Sequence, residues 1–342
     1  MDARAGGGTV AQSQGGVASL RSAWTGEPTF ADVLAARDFL RAYLAPTPLI
    51  RRDALSASLG LDVWLKCENL LPTAAFKVRG GLNLIGRDPT AKAGVMGAST
   101  GNHGQSLAYA GGVFGVPVTI FVPKGANPLK LAAMRRSGAT VVEHGSDYDD
   151  AREECARRAA ATGTRYVHSG NEPYLIAGVA TAALEVLLEK PDLDVLIVPV
   201  GGGSGASGAA LVAKTLRPEV EVIGVQAEGA SAAYRAWRDH APRTTDRADT
   251  FAEGLATRTS FDLPQRMLAA LLDDFVLVTD DELYAAMRLL LIEGHVVVEG
   301  AGAAAVAAAR RLTERLAGKR VACWVSGANA TADSLRHALD AR

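Results

Sequence analysis

Three short stretches of this sequence hold residue types that could do chemistry together. Lys77 sits in PTAAFKVRGGLNLIG (72–86), flanked by Phe76 and Val78 and followed by Gly80-Gly81. Burial among apolar neighbours disfavours an ammonium, lowers its pKa and turns the amine into a nucleophile for a carbonyl. A lone lysine is ordinarily a solvated surface charge, and the flanking residues weaken that reading without removing it. GGGSGASG (201–208) has five glycines in eight residues and follows the β-branched run DVLIVPV. Successive main-chain N–H groups without Cβ atoms wrap an anion, and a following helix adds its positive end, so phosphate is the natural ligand. STGNHGQ (99–105) precedes a helical run. Its small hydroxyls and free N–H groups suit a carboxylate, or else Ser99 or Thr100 simply caps the helix.

The elements around these loops read as an alternation. VWLKC (63–67), VPVTIFVP (116–123), ATVVEHG (139–145), DVLIVPV (194–200), EVIGVQAE (221–228) and RVACWVS (320–326) have strand character. GQSLAYAGGVFG (104–115), LKLAAMRRSG (129–138), DAREECARRAAATG (150–163) and IAGVATAALEVLLEK (176–190) have helix character between them. Such alternation predicts parallel sheets with crossover helices, and the length suits two of them. A helix is expected from Thr29, where Asp32 completes a capping box, with AlaPro-ThrPro (45–48) stopping it. At this level a rival remains. Gly203-x-Gly205-x-x-Gly208, with Glu228 about 20 residues on, matches the dinucleotide fingerprint of nicotinamide dehydrogenases.

The segments taken together favour another reading. LKCENLLPTAAFKVRGG, STGNHGQSLAYA, VPVGGGSGASG, VVVEGAGAAA and CWVSGAN occur in the order seen in fold-type II pyridoxal-phosphate (PLP) enzymes. From about Thr47 to Asn329 the sequence resembles the threonine/serine dehydratase (ammonia-lyase) branch, which includes serine racemase. The resemblance implies an α/β fold of two open domains with mostly parallel twisted sheets and the cofactor, pyridoxal 5'-phosphate, between them. It implies that Lys77 carries the cofactor as a Schiff base, with Phe76 beside the ring and Asn102 hydrogen-bonded to the ring hydroxyl. Gly201, Gly202, Gly203, Ser204 and Gly205 correspond to the phosphate loop. Gly254 corresponds to a glycine whose main chain lines the cofactor, and Ser326 to the partner of the pyridine nitrogen. Ser99, Thr100, Gly101, Asn102 and His103 correspond to the substrate-carboxylate loop, with Thr100 also at a catalytic position.

The implied activity is β-elimination from a small β-hydroxy-α-amino acid such as threonine or serine, giving a 2-keto acid and ammonia. The alternatives are a racemase of serine-racemase type, or a dehydratase of hydroxyaspartate, a phenylserine or a hydroxyectoine-derived amino acid. β-Replacement is disfavoured because the loop reads STGNHG and not TSGNTG, and a non-catalytic binder would leave Lys77 idle. A neutral Ser326 at the pyridine nitrogen makes a weaker electron sink than a carboxylate would. It therefore favours prompt elimination over transamination.

The sequence also departs from the family. Ala75 lacks a hydroxyl often present before the Phe. Glu228 is followed by GASAAYRAW, which places Ala233 and Tyr234 where racemase-like members hold a divalent cation with carboxylates, so no metal site is expected. No room is seen for a regulatory domain with isoleucine feedback. Residues 1–27 read as a flexible tail, 28–90 plus 170–342 as a large PLP-binding domain, and 91–169 as a small mobile domain. A formal charge of -1 favours neither nucleic acid nor an anionic membrane. No apolar run reaches the ~18 residues of a membrane span, and the start carries no signal-peptide pattern. Cys67, Cys155 and Cys323 fit no metal or disulfide spacing, which points to the cytoplasm. The partners expected are a small amino-acid substrate and a second copy in a homodimer.

Overall fold

The structure is a computed structural model and describes residues 26–341. Most of the tail expected over 1–27 lies outside the described residues. In chain order the elements are α1 (Phe30–Leu40), β1 (Leu49–Arg51), α2 (Asp53–Leu59), β2 (Asp62–Cys67), α3 (Lys77–Arg87), β3 (Val95–Ala98), α4 (Asn102–Phe114), β4 (Val118–Val122), α5 (Pro128–Arg136), β5 (Thr140–Glu143), α6 (Tyr148–Thr162) and β6 (Arg165–Tyr166). They continue as α7 (Pro173–Glu189), β7 (Val195–Pro199), α8 (Ser204–Leu216), β8 (Glu221–Ala227), α9 (Ala232–Asp239), α10 (Asp262–Leu271), β9 (Asp274–Val278), α11 (Asp280–Ile292), α12 (Gly300–Arg311), α13 (Thr313–Leu316), β10 (Arg320–Val325) and α14 (Ala332–Asp340).

Among the described residues the strands form two sheets. One has six strands in the order β1-β2-β10-β7-β8-β9, and the other has four in the order β5-β4-β3-β6. Every pairing is parallel except β1 with β2. Parallel strands need crossovers, so helices cover both faces and the strands become continuous apolar runs. β7 is buried throughout except for its last residue, and β10 except for its first. The alternation of strand and helix read from the sequence is therefore the architecture.

Thr29 caps α1 as expected: its Oγ1 accepts from Asp32 N at 3.4 Å, and its main-chain N–H donates back to Asp32 Oδ2 at 2.8 Å. The expected stop is corrected: α1 ends at Leu40, and the hydrogen bonds from Tyr43 N and Leu44 N to Leu40 O turn the chain before the first proline.

The helix α3 begins at Lys77, although KVRGGLNLIGR carries three glycines that disfavour a helix. Close packing overrides that propensity. A Cβ on Gly81 would lie 2.6 Å from Ser106 O on α4, and one on Gly86 would lie 2.3 Å from the Phe39 ring on α1. Behind α3, Arg79 is 2% exposed and bridges Glu68 (2.7 Å) and Glu185 (2.6 Å), while Lys66 reaches Glu185 at 2.5 Å. Two buried cations meet two carboxylates there, and Thr47 Oγ1 donates to Glu68 at 2.6 Å. The network ties the first turn of α3 to α7 and to the strand that precedes it.

Candidate active site

The carboxyl ends of β3, β7 and β10 open onto one cleft of about 710 Å³. Parallel α/β sheets bind ligands at such strand ends, and the volume is within the range of small-molecule sites. Every residue given a cofactor or substrate role above lines it: Phe76, Lys77, Ser99 to His103, Gly201 to Gly205, Gly254 and Ser326.

Lys77 is half-buried at the cleft floor. Its Nζ lies 2.7 Å from Ser204 Oγ and 5.1 Å from the centre of the Phe76 ring. Burial pulls its pKa down to about 8. The peptide before it is stitched to the end of β10. Phe76 N donates to Ser326 O at 3.0 Å, Ala328 N donates to Ala74 O at 2.8 Å, and Ala75 bridges Gly327. Ala74 occupies the left-handed region at φ 51°, a conformation that Gly adopts without strain. The Phe76 ring meets Trp324 edge-on at 5.7 Å, which fixes the wall beside the lysine.

The Gly-rich loop turns from β7 into α8. Gly203, at φ +89°, is the N-cap and supplies no side-chain hydrogen bond, so the first N–H groups of α8 lack the usual cap. Glycine is required here by close approach. A Cβ on Gly201 would lie 2.2 Å from Gly254 O, and one on Gly202 would lie 2.4 Å from the Phe261 ring. An uncapped helix start beside an amine, with an amide (Asn102) and a hydroxyl (Ser326) on the same walls, fits a group bearing phosphate, aldehyde, phenol and pyridine.

The STGNHG loop follows β3. Neither Ser99 nor Thr100 caps α4, which corrects that expectation. The N-cap is Gly101 with no side-chain bond, and the Ser99 hydroxyl instead accepts from Gly101 N within the loop at 3.2 Å. The His103 ring nitrogens are sealed from solvent. Burial, then the nearby Lys77 charge, pushes its pKa down to about 3, so the ring is neutral near pH 7. His168 also lines the cleft. Its Nδ1 accepts from Gly170 N (3.1 Å) and Asn171 N (3.0 Å), and burial lowers its pKa to about 4. Glu172 is structural, bound to Arg165 at 2.6 Å.

Sequence reasoning missed Glu299, which lines the cleft at the head of α12 and accepts from Asn102 Nδ2 at 2.6 Å. It stands within the quoted VVVEGAGAAA. A lone carboxylate between an apolar run and a Gly-Ala helix start was the available signal. The rim was missed as well. Arg258 pairs with Asp149 at 3.1 Å and Lys130 pairs with Glu253, joining the segment 253–258 to α5 and α6 across the mouth. Among the described residues no group of His, Cys, Asp or Glu is disposed to hold a metal ion, and no helix is long and apolar enough to cross a membrane.

Comparison with known proteins gives a consistent picture. Residues 40–327 match the family described as pyridoxal-phosphate dependent enzyme. The chain is 37% identical over 303 residues to an L-threonine ammonia-lyase of Thermotoga maritima, covering 88% of this chain and 75% of that one. It is 34% identical over 310 residues to a β-hydroxyaspartate dehydratase of Paracoccus denitrificans, covering 90% and 98%. The solved structure of maize serine racemase superposes with a TM-score of 0.86 at 27% identity, covering 92% of this chain and 97% of that one.

Proposed function

The chain belongs to the pyridoxal-phosphate-dependent enzyme family, and from that premise we propose that it eliminates the β-hydroxyl of a small β-hydroxy-α-amino acid. It is a lyase, and its cofactor is pyridoxal 5'-phosphate. The dinucleotide reading of the Gly-rich loop falls with the family match. The observation that carries the proposal is Lys77 Nζ at 2.7 Å from Ser204 Oγ, at the uncapped start of α8. An amine and an anion cradle in contact are what a phosphorylated aldehyde requires.

When bound, the cofactor supplies an aldehyde for amino groups and a sink for charge left at the α-carbon. The chain's own residues do the rest. The first N–H groups of α8 hold the phosphate, with the helix dipole behind them. With a pKa near 8, Lys77 is neutral in a useful fraction at physiological pH and takes the α-proton at Nζ. The loop from Ser99 to His103 orients the substrate carboxylate through its N–H groups and the Thr100 hydroxyl. Ser326 would offer a neutral hydroxyl to the pyridine nitrogen, a partner that does not require that nitrogen to be protonated. The α C–H and β C–O bonds break, water departs, and hydrolysis of the resulting enamine yields keto acid and ammonia.

Residues 91–169 act as the small mobile domain over 28–90 plus 170–342. The ion pairs Asp149–Arg258 and Lys130–Glu253 support this as contacts that close the mouth. The working state is a cytoplasmic homodimer. Three buried free thiols support the compartment, and the exposed Leu70 and Val297, joined through Asn69 Nδ2 to Val297 O at 3.2 Å, support an apolar contact face.

The test is a panel of L-threonine, L-serine, β-hydroxyaspartate and phenylserine, assayed for keto acid and ammonia in equal amounts. One member should be turned over with that stoichiometry. No keto acid from any of them, with D-enantiomer appearing instead, would replace elimination by racemisation.

A further inference from the structure

Glu299 lies in the cleft wall, 9% exposed, and the scheme above gives it no part. It ends a chain of side-chain hydrogen bonds. Asn329 Nδ2 donates to Thr73 O at 2.9 Å and to Asn102 Oδ1 at 2.7 Å. Asn102 Nδ2 in turn donates to Glu299 Oε1 at 2.6 Å. The ends of the chain fix its direction. Thr73 O is a main-chain carbonyl and only accepts, so Asn329 must turn its NH₂ toward it. That NH₂ leaves Asn102 the role of acceptor on its oxygen side, and the Glu299 carboxylate takes a donor from its nitrogen side. An amide nitrogen carries two hydrogens. Asn329 spends both, while Asn102 spends one and keeps one.

We propose that Glu299 is a positioning residue that locks the Asn102 amide in one orientation, so that its remaining N–H is offered to the ring oxygen of bound pyridoxal phosphate. The inference rests on the reading that Asn102 faces that oxygen. Asn102 then acts as a donor there, and it favours the ring oxygen without its proton. Burial raises the Glu299 pKa, while the Asn102 N–H and the nearby Lys130 charge oppose that rise; in its ionised form the carboxylate accepts and does not donate, and that form makes the selection. A glutamine in its place presents either an oxygen or an NH₂ to Asn102, and the orientation then rests on Asn329 alone. Asn329 serves the same lock from the other end.

The experiment titrates apoprotein with pyridoxal phosphate, following the visible absorbance of the bound cofactor and the pH at which it changes. Apoprotein Tm is measured alongside. Glu299→Gln and Asn102→Ala should each weaken cofactor binding about tenfold and move the pH transition. The double variant should be no worse than Asn102→Ala alone, because the two residues act through one contact. Asn329→Ala releases the other end of the chain and should move the transition in the same direction, which preserves the test if Glu299→Gln does not fold. If Asn102→Ala behaves as the parent, Asn102 is not at the ring and the underlying reading falls. If Asn102→Ala shifts the transition and Glu299→Gln does not, or lowers only the apoprotein Tm, the role given to Glu299 is overturned.

Discussion

Lys77 Nζ and Ser204 Oγ lie 2.7 Å apart although 127 positions separate them in the chain. The contact places the amine at the positive end of α8, where a second positive charge is disfavoured. It joins two motifs that in sequence are unrelated loops.

The lowered pKa of Lys77 has a consequence for stability. The folded value is about 8 against an ordinary 10.5, so between those pH values the unfolded chain binds more protons and stability rises with pH. Below pH 8 the destabilisation is fully present, up to about 3 kcal/mol and less where cleft water solvates the amine. Lys77→Met should therefore stabilise the apoprotein in urea at pH 7, and the gain should shrink at pH 10. An equal gain at both pH values would contradict the assignment.

Ser326 is 5% exposed at the end of β10. Ser326→Ala should still bind cofactor and lower kcat about fivefold, the effect of one neutral hydrogen bond. Ser326→Asp should protonate the pyridine nitrogen and slow elimination further while stabilising a coloured species. Parental rates in both variants would remove Ser326 from the nitrogen.

Thr100 lines the cleft but does not cap α4. Thr100→Ala should therefore leave Tm nearly unchanged and retain most elimination. Racemisation needs a second acid/base group besides Lys77, and the β-branched Thr100, stiff at χ1, serves that role poorly. The parent should form D-serine far more slowly than pyruvate, and Thr100→Ser should raise the D-serine share. If D-serine keeps pace with pyruvate and Thr100→Ala abolishes only D-serine, the enzyme is a racemase.

Ala74 pays for its left-handed backbone, at φ 51°, with a steric penalty of about 1–2 kcal/mol, part of which Gly recovers. Ala74→Gly should raise the urea midpoint, by up to about 1 kcal/mol in stability, without changing the m-value. A lower midpoint would mean that the Ala74 methyl packs usefully against its surroundings.

Much of this site was legible because loop chemistry is local. A lysine between apolar residues, a run of glycines after a strand and an STGNHG turn are local patterns, each open to another reading alone, and the order of the five segments together singled them out. The helix α3 was not legible in this way, since Gly80, Gly81 and Gly86 read as breakers until the backbones of α4 and α7 and the ring of Phe39 are seen pressed against them. Strands as short as β1 and β6 carry too little period to register. Glu299 and Asn329, though they stand in quoted segments, were hard to read as site residues for a different reason. Their meaning lies in partners 197 and 227 positions away, which no spacing rule encodes.

The stitching of the Lys77 peptide to residues 326–329 also has a meaning in time. Asn329 meets Thr73 across 256 positions. At ordinary rates of translation, the ribosome delivers that partner on the order of ten to fifty seconds after the lysine has been synthesised. Until then the nascent segment has neither its β10 neighbour nor the Ser326 hydroxyl. Lys77 is during that interval an ordinary amine on an unfinished chain. With Ser326 in the role proposed for it, cofactor capture is a late event in the biogenesis of the enzyme.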